Sequence, residues 1–191
     1  MPTYTLPELA ALIVARDRLP ESAAEETANR LRRLRDQRAL RTIEGTGGRG
    51  RGKAASLNEV EAAKALILEM LASLDMAREA TDKAILALEA KPNLPHFMVE
   101  LEPGVLTTLT ALEAALHGIR NSERWILQFK LMTGAEGRKL SAQVERDQPE
   151  DQKSKQKTDQ IVEAGLSVKG VRVLGSTELN LAEILDPILG E

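Results

Sequence analysis

The stretch NRLRRLRDQRALRTIEGTGGRGRGK, residues 29–53, decides how this chain reads. It sets Arg30, Arg32, Arg33, Arg35, Arg38, Arg41, Arg49, Arg51 and Lys53 against Asp36 and Glu44 alone, a local charge of +7 in a chain whose total is −3. The remaining residues therefore sum to −10. A basic segment on an acidic body is the electrostatic footprint of a nucleic-acid-binding face. The order of its parts, a charged helix, a glycine-arginine loop and a second helix, sets it apart from a merely solvated arginine-rich helix.

Working outward on the N-terminal side, Thr3 or Thr5 can cap a first helix that opens with Pro7 and Glu8, and Leu6, Leu9 and Ile13 give that helix one apolar stripe. The turn RDRLPES ends it. Ser22 and Glu25 then spell a capping box for a second helix that runs to about Leu40. Ala24, Ala28, Leu31, Leu34 or Arg35, and Leu40 would form its buried side, and Asn29, Arg30, Arg33 and Gln37 its outer side. Arginine reads guanine O6 and N7, and asparagine or glutamine reads adenine, so this outer side suits the recognition element of a helix-turn-helix.

On the C-terminal side, five glycines between Gly45 and Gly52 cannot sustain a helix and predict a loop or hairpin tip. Residues 47–53 satisfy GxxxxGK, but Ala54 stands where a magnesium-binding Ser or Thr is required, and residues 45–50 spell GxGxxG with no strand before them. Neither is read as a nucleotide site. Arg49-Gly50-Arg51 is similar to the Arg-Gly-Arg core of AT-hook peptides, which lie in the narrow minor groove of A·T-rich DNA, although glycine replaces the flanking proline of those peptides.

Beyond the loop, Ser56 would cap a long third helix over residues 57–91. Val60, Ala63, Ile67, Met70, Leu74, Ala77, Thr81, Ala84 and Leu88 alternate spacings of three and four, the heptad seam of a coiled coil or the stripe of a long amphipathic helix packed inside its own monomer, the first being favoured for a dimeric DNA-binding module. The remainder predicts a short strand at 97–101, a helix over GVLTTLTALEAALHGIR, a strand in RWILQFKLMTG (favoured by its two aromatics over a continuation of that helix), a polar linker near 143–160, a strand at 168–174, a glycine turn and an amphipathic helix from Leu181.

Residues 4–71 resemble the DNA-binding module of the MerR family. The likeness rests on YTLPELAAL for the first helix, TANRLRRLRDQRALRTIEG for the recognition helix and its exit, and GRGRGKAASLNEVEAAKAL for the wing and the helix after it, with Ser56, Glu59 and Val60 where that helix begins. The resemblance implies a winged helix-turn-helix dimer on a palindromic element. It matches Thr27, Asn29 and Arg30 to recognition-helix positions, and Arg49 and Arg51 to wing arginines.

The sequence thus predicts a mainly α protein: a winged helix-turn-helix over 1–56, a long dimerisation helix over 57–91, and a small α+β C-terminal domain over 92–191. The expected DNA contacts are Thr27, Asn29, Arg30, Arg33, Gln37, Arg41, Arg49, Arg51 and Lys53. The expected role is that of a DNA-binding transcriptional regulator, homodimeric, cytoplasmic and nucleoid-associated, with double-stranded and A·T-rich DNA as partner. Two other roles fit the same charge pattern: an architectural protein coating A·T-rich DNA, and an interaction module docking a protein through its acidic C-terminal half. No enzyme activity, metal or cofactor is expected. There is no cysteine, and His96 and His117 lack a second ligand at metal-binding spacing. The apolar run LAALIVA is cut short by Arg16 and Asp17, so no membrane span is expected.

Overall fold

A computed structural model describes residues 2–43, 54–134, 137–147 and 172–189. The first helix, α1 (Leu6–Arg16), follows strand β1 (Thr3–Thr5). Thr5 caps α1 in a full capping box: its hydroxyl accepts the Glu8 N–H at 3.4 Å, and Glu8 Oε2 accepts the Thr5 N–H at 2.7 Å. These hydrogen bonds, from the Thr5 backbone first and its side chain second, hold the Glu8 carboxyl below its ordinary pKa.

Helix α2 (Ala23–Asp36) starts differently from the expectation. Ser22 adopts helical angles and makes no side-chain cap bond. Backbone bonds from Ala23 N–H to the Pro20 carbonyl (2.8 Å) and from Ala24 N–H to Glu21 (3.0 Å) close the entry turn instead. The cap of the third helix, α3 (Glu59–Ser73), is likewise Asn58 and not Ser56, with Asn58 Oδ1 accepting the Glu61 N–H at 2.9 Å. Ser56 belongs to strand β2 (Ser56–Asn58), which pairs antiparallel with β1 in the register Tyr4 to Leu57.

Among the described residues one stop signal is used four times. After α1, α2 and α3, and after α5 (Ala111–Arg120), a non-glycine residue turns left-handed: Arg18, Arg38, Asp75 and Ser122, at φ between 51° and 63°. In each case the next N–H reaches back five residues: Leu19 to Val14, Ala39 to Leu34, Met76 to Leu71 and Glu123 to Gly118, at 2.9–3.1 Å. This bond satisfies carbonyls that the helix end would leave open, at some conformational cost for a side chain bearing Cβ.

The Asp75 turn overturns the long helix expected over 57–91. The segment forms two helices, α3 and α4 (Arg78–Glu89), joined at residues 74–77. Nor is α3 a two-faced seam helix. Ala62, Ala63, Ala65, Leu66, Ile67, Leu68 and Leu71 are all buried, on every side, as are Glu59, Glu61, Lys64 and Glu69. Contacts with α1, α2, α4, α5 and the C-terminal helix α6 (Leu181–Leu189) enclose it. Of the heptad positions, Ala63, Ile67, Ala84 and Leu88 are buried in this monomer core while Leu74 and Ala77 are exposed at the break, so there is no single long dimerisation helix.

The fold class is corrected with it. Among the described residues helices are interleaved with strands, which form two small two-stranded sheets and one three-stranded sheet. Strands β3 (Met98–Glu102) and β4 (Val105–Thr108) form a hairpin where a helix had been expected from residue 104. Pro103 and Gly104, the latter at φ 79°, supply the turn, and the β-branched Val105, Thr107 and Thr108 favour a strand. The helix begins only at Ala111, behind a Thr110–Glu113 capping box.

Strand β5 (Trp125–Gly134) is central to the larger sheet, flanked antiparallel by β6 (Gly137–Arg146) and β7 (Arg172–Asn180). Strand β6 was not anticipated, and it occupies the first residues of the expected polar linker; residues 148–171, which carry the rest of that linker and most of the expected 168–174 strand, lie outside the described residues. Gly175 is not a turn. It pairs with Leu131 inside β7, beside a bulge that lets Leu174 slip out of register. Trp125, Leu127 and Phe129 line the buried face of β5, against α5 and α6. One apolar cluster extends from Leu6 to Ile188, and Arg16 on α1 donates to the Ile184 carbonyl of α6 at 3.2 Å.

Candidate nucleic-acid interface

Helix α2 is divided along its length and around its circumference. Glu25 and Glu26 occupy its first turn, Arg33 and Arg35 its last, which complements the helix dipole at both ends. Around it, Thr27, Ala28 and Leu31 are buried towards α1 and α3, whereas Asn29, Arg32, Arg33, Asp36 and Gln37 are exposed. Asn29, Arg33 and Gln37 recur every four residues and so share one stripe, about 12 Å long at 1.5 Å per residue. A major groove about 12 Å wide admits a helix presenting such a stripe.

The nine residues nominated by the sequence fall into three groups. Asn29, Arg33, Gln37 and Arg41 face outward. Arg33 and Gln37 make no side-chain hydrogen bond or ion pair to another described residue, and Asn29 accepts a hydrogen bond from Arg32. The Arg41 side chain is 77% exposed, and its one ion-pair contact among the described residues is Glu89, at 3.8 Å.

Thr27 and Arg30 face the other way. Thr27 is fully buried, and its hydroxyl accepts from Arg30 Nη2 at 3.1 Å. Arg30 also donates to Glu69 of α3, at 2.7 and 3.1 Å, and to Glu26 at 3.1 Å. Its guanidinium bolts α2 to the hub helix. Nothing local in the sequence announces that bond, because its partner lies 39 residues away.

Arg49, Arg51 and Lys53 lie outside the described residues. The ends of their segment are nonetheless placed: Ile43 N–H donates to the Ser56 carbonyl at 2.8 Å, and Ser56 pairs with Thr5. The residues on either side of 44–53 are therefore joined, Ile43 to Ser56, at the end of the β1–β2 pair. The Arg41 N–H is fixed as well, donating to Glu61 Oε2 at 2.8 Å.

The two histidines do not meet. His96 is half-buried against Phe97 and Trp125, and His117 is exposed on α5. No helix among the described residues is long and apolar enough to cross a membrane. The chain matches no family model, and comparisons with curated proteins and with solved structures found no relative.

Proposed function

We propose that this protein binds double-stranded DNA as a transcriptional regulator, through the outer stripe of α2 and the basic loop that follows it. The carrying observation is the stripe itself: Asn29, Arg33 and Gln37 are exposed on successive turns, with the Arg33 and Gln37 side chains uncommitted, in a chain that is otherwise acidic. Arg32 and Arg41 lie close enough in sequence to serve phosphates. The bond between Ile43 and Ser56, which flank residues 44–53, supports a wing reading, in which Arg49, Arg51 and Lys53 would address the minor groove or its phosphates. Thr27 and Arg30 leave the contact set and act instead on how α2 is held.

Fluorescence anisotropy on matched A·T-rich and G·C-rich duplexes over a salt series tests the reading. A log–log salt slope of about −0.9 per phosphate contacted is expected, and it should become shallower by about one contact in Arg33→Ala. Absence of binding at low salt would remove the proposal. Steep binding with broad A·T preference and no defined site would assign the architectural role instead. The two-fold arrangement of a regulator belongs to the same proposal, and sedimentation with and without a palindromic duplex measures it.

A further inference from the structure

The charge of helix α2 changes sign along its axis. Glu25 and Glu26 are exposed on its first turn. Arg30 reaches Glu26 at 3.1 Å and also bonds inward, to Thr27 and Glu69. From Arg32 onward the exposed charges are Arg32, Arg33, Asp36, Arg38 and Arg41. Asp36, the one acid among them, has its Oδ1 met by Arg35 Nε and Nη2 at 3.0 and 2.7 Å.

The basic end is also a corner with a fixed backbone. The Gln37 N–H donates to the Arg33 carbonyl at 2.9 Å, the Arg38 N–H to that of Arg35 at 2.9 Å and the Ala39 N–H to that of Leu34 at 3.0 Å. Arg38 turns left-handed at φ 62°, and Leu40 is already back in the core. Gln37 and Arg38 are thus exposed on a backbone that needs little further ordering to bind. The two amides of the outer stripe differ as well. Asn29 Oδ1 accepts from Arg32 Nη1, whereas the Gln37 side chain makes no hydrogen bond to another described residue. Bidentate pairing with adenine uses both halves of an amide, the oxygen on N6 and the nitrogen on N7.

We infer that α2 enters the major groove with its C-terminal corner first, and that Gln37 is the side chain that reads a base there, an adenine; this rests on the DNA-binding reading. Gln37 lies about 18 Å along the axis from Glu25, and the groove is about 8.5 Å deep. Entry by the corner fills the groove with the last turn and a half. It leaves Glu25 about 9 Å clear, beyond a Debye length of about 8 Å at physiological salt. A helix laid along the groove, or entering by its first turn, would set Glu25 and Glu26 against the phosphates. The negative end of the helix dipole leads in this orientation, and Arg33, Arg35 and Arg38 offset it. Arg32 and Arg33, roughly 6–8 Å back from Gln37, come level with the phosphates, and Asn29, about 12 Å back, stays above the bases.

Selection from a randomised duplex pool by the full-length wild type, Gln37→Arg, Asn29→Ala and Glu25→Gln tests the orientation. The wild type should enrich a site with one A·T pair whose exchange for G·C, adenine to guanine, costs about tenfold in affinity. Gln37→Arg should select guanine at that same position, a switch that misfolding cannot produce. Asn29→Ala should keep the wild-type site, and Glu25→Gln should bind it within about twofold of wild type. An unmoved base preference in Gln37→Arg, its loss in Asn29→Ala, or binding tightened about tenfold by Glu25→Gln would overturn the inference and leave DNA binding in place. So would binding with no enriched site. No binding of any duplex at low salt would reject the DNA reading and this inference with it.

Discussion

Arg30 and Glu69 form the bond that seats helix α2 on the hub of the fold: Arg30 Nη2 stands 2.7 Å from Glu69 Oε1, and the Glu69 side chain is 1% exposed. Among the described residues Glu69 Oε2 has no hydrogen-bond partner, and Arg30 is the cation that offsets the buried carboxylate. Removing one partner of such a pair leaves the other charge stranded. Arg30→Ala should therefore destabilise the protein by about 2–3 kcal/mol, below the upper range for fully buried pairs because Arg30 keeps some contact with water. Arg33→Ala should change stability by no more than about 0.5 kcal/mol. Urea denaturation of the two variants reads the difference directly, and similar losses for both would contradict the assignment of Arg30 as a bolt.

Gly118 on α5 faces Trp125 at close range. A Cβ there would stand 2.8 Å from Trp125 Cε2 and closer still to the indole nitrogen, which donates to Glu123 Oε2 at 3.1 Å. Trp125 is fully buried and has nowhere to retreat. Gly118→Ala should cost about 1–3 kcal/mol by overpacking and red-shift the emission of the only tryptophan. An unchanged spectrum and midpoint would show that the ring can move.

The left-handed residue between α3 and α4 gives a prediction of opposite sign. Asp75 sits at φ 51° without the freedom of glycine. Asp75→Gly should raise stability by up to about 0.5 kcal/mol, while Asp75→Val, β-branched, should lower it by about 1–2 kcal/mol. Thermal midpoints ordered Gly, Asp, Val from high to low are expected, and any other order would mean that this turn relaxes.

His96 carries the pH dependence. Burial is the main cause holding its imidazole below the ordinary 6.5; the positive charge of Arg146 acts in the same direction, and Glu123 opposes it. The folded state thus binds a proton less readily than the unfolded chain. The stability this supplies is complete above the unfolded value and is lost as pH falls through it towards the folded one. His96→Gln should shrink the difference in urea midpoint between about pH 7.5 and pH 5.5. Trp125, with its ring centroid 6.0 Å from that of His96, reports the transition.

What the sequence disclosed followed from strong local signals. The Thr5 cap, the strand in RWILQFKLMTG and the amphipathic run from Leu181 each carry their own pattern, and each appears as read. The long helix failed because its break carries neither glycine nor proline; Leu74 and Asp75 hide it, and the three-four spacing continues across the gap. Strand β6 was missed because its inward residues, Leu140, Ala142 and Val144, are modest in size and sit among charged neighbours. Helical spacing placed Asn29, Arg33 and Gln37 on an outer stripe. It could not place Arg30, whose destination is fixed by a glutamate on another helix.

The hydrogen bond between Ile43 and Ser56 has a consequence for how this chain can change. With the flanking Ile43 bonded to Ser56, and Ser56 in a ladder that also holds the N-terminal strand, the sequence between them can be exchanged as a cassette. Doubling the length of a segment closed in this way costs only about 0.6 kcal/mol in closure entropy. Its charge, length and glycine content can therefore be rewritten, by selection or by design, with little effect on the core around α3. Whatever the cassette is asked to recognise, the scaffold that presents it has no need to be rebuilt.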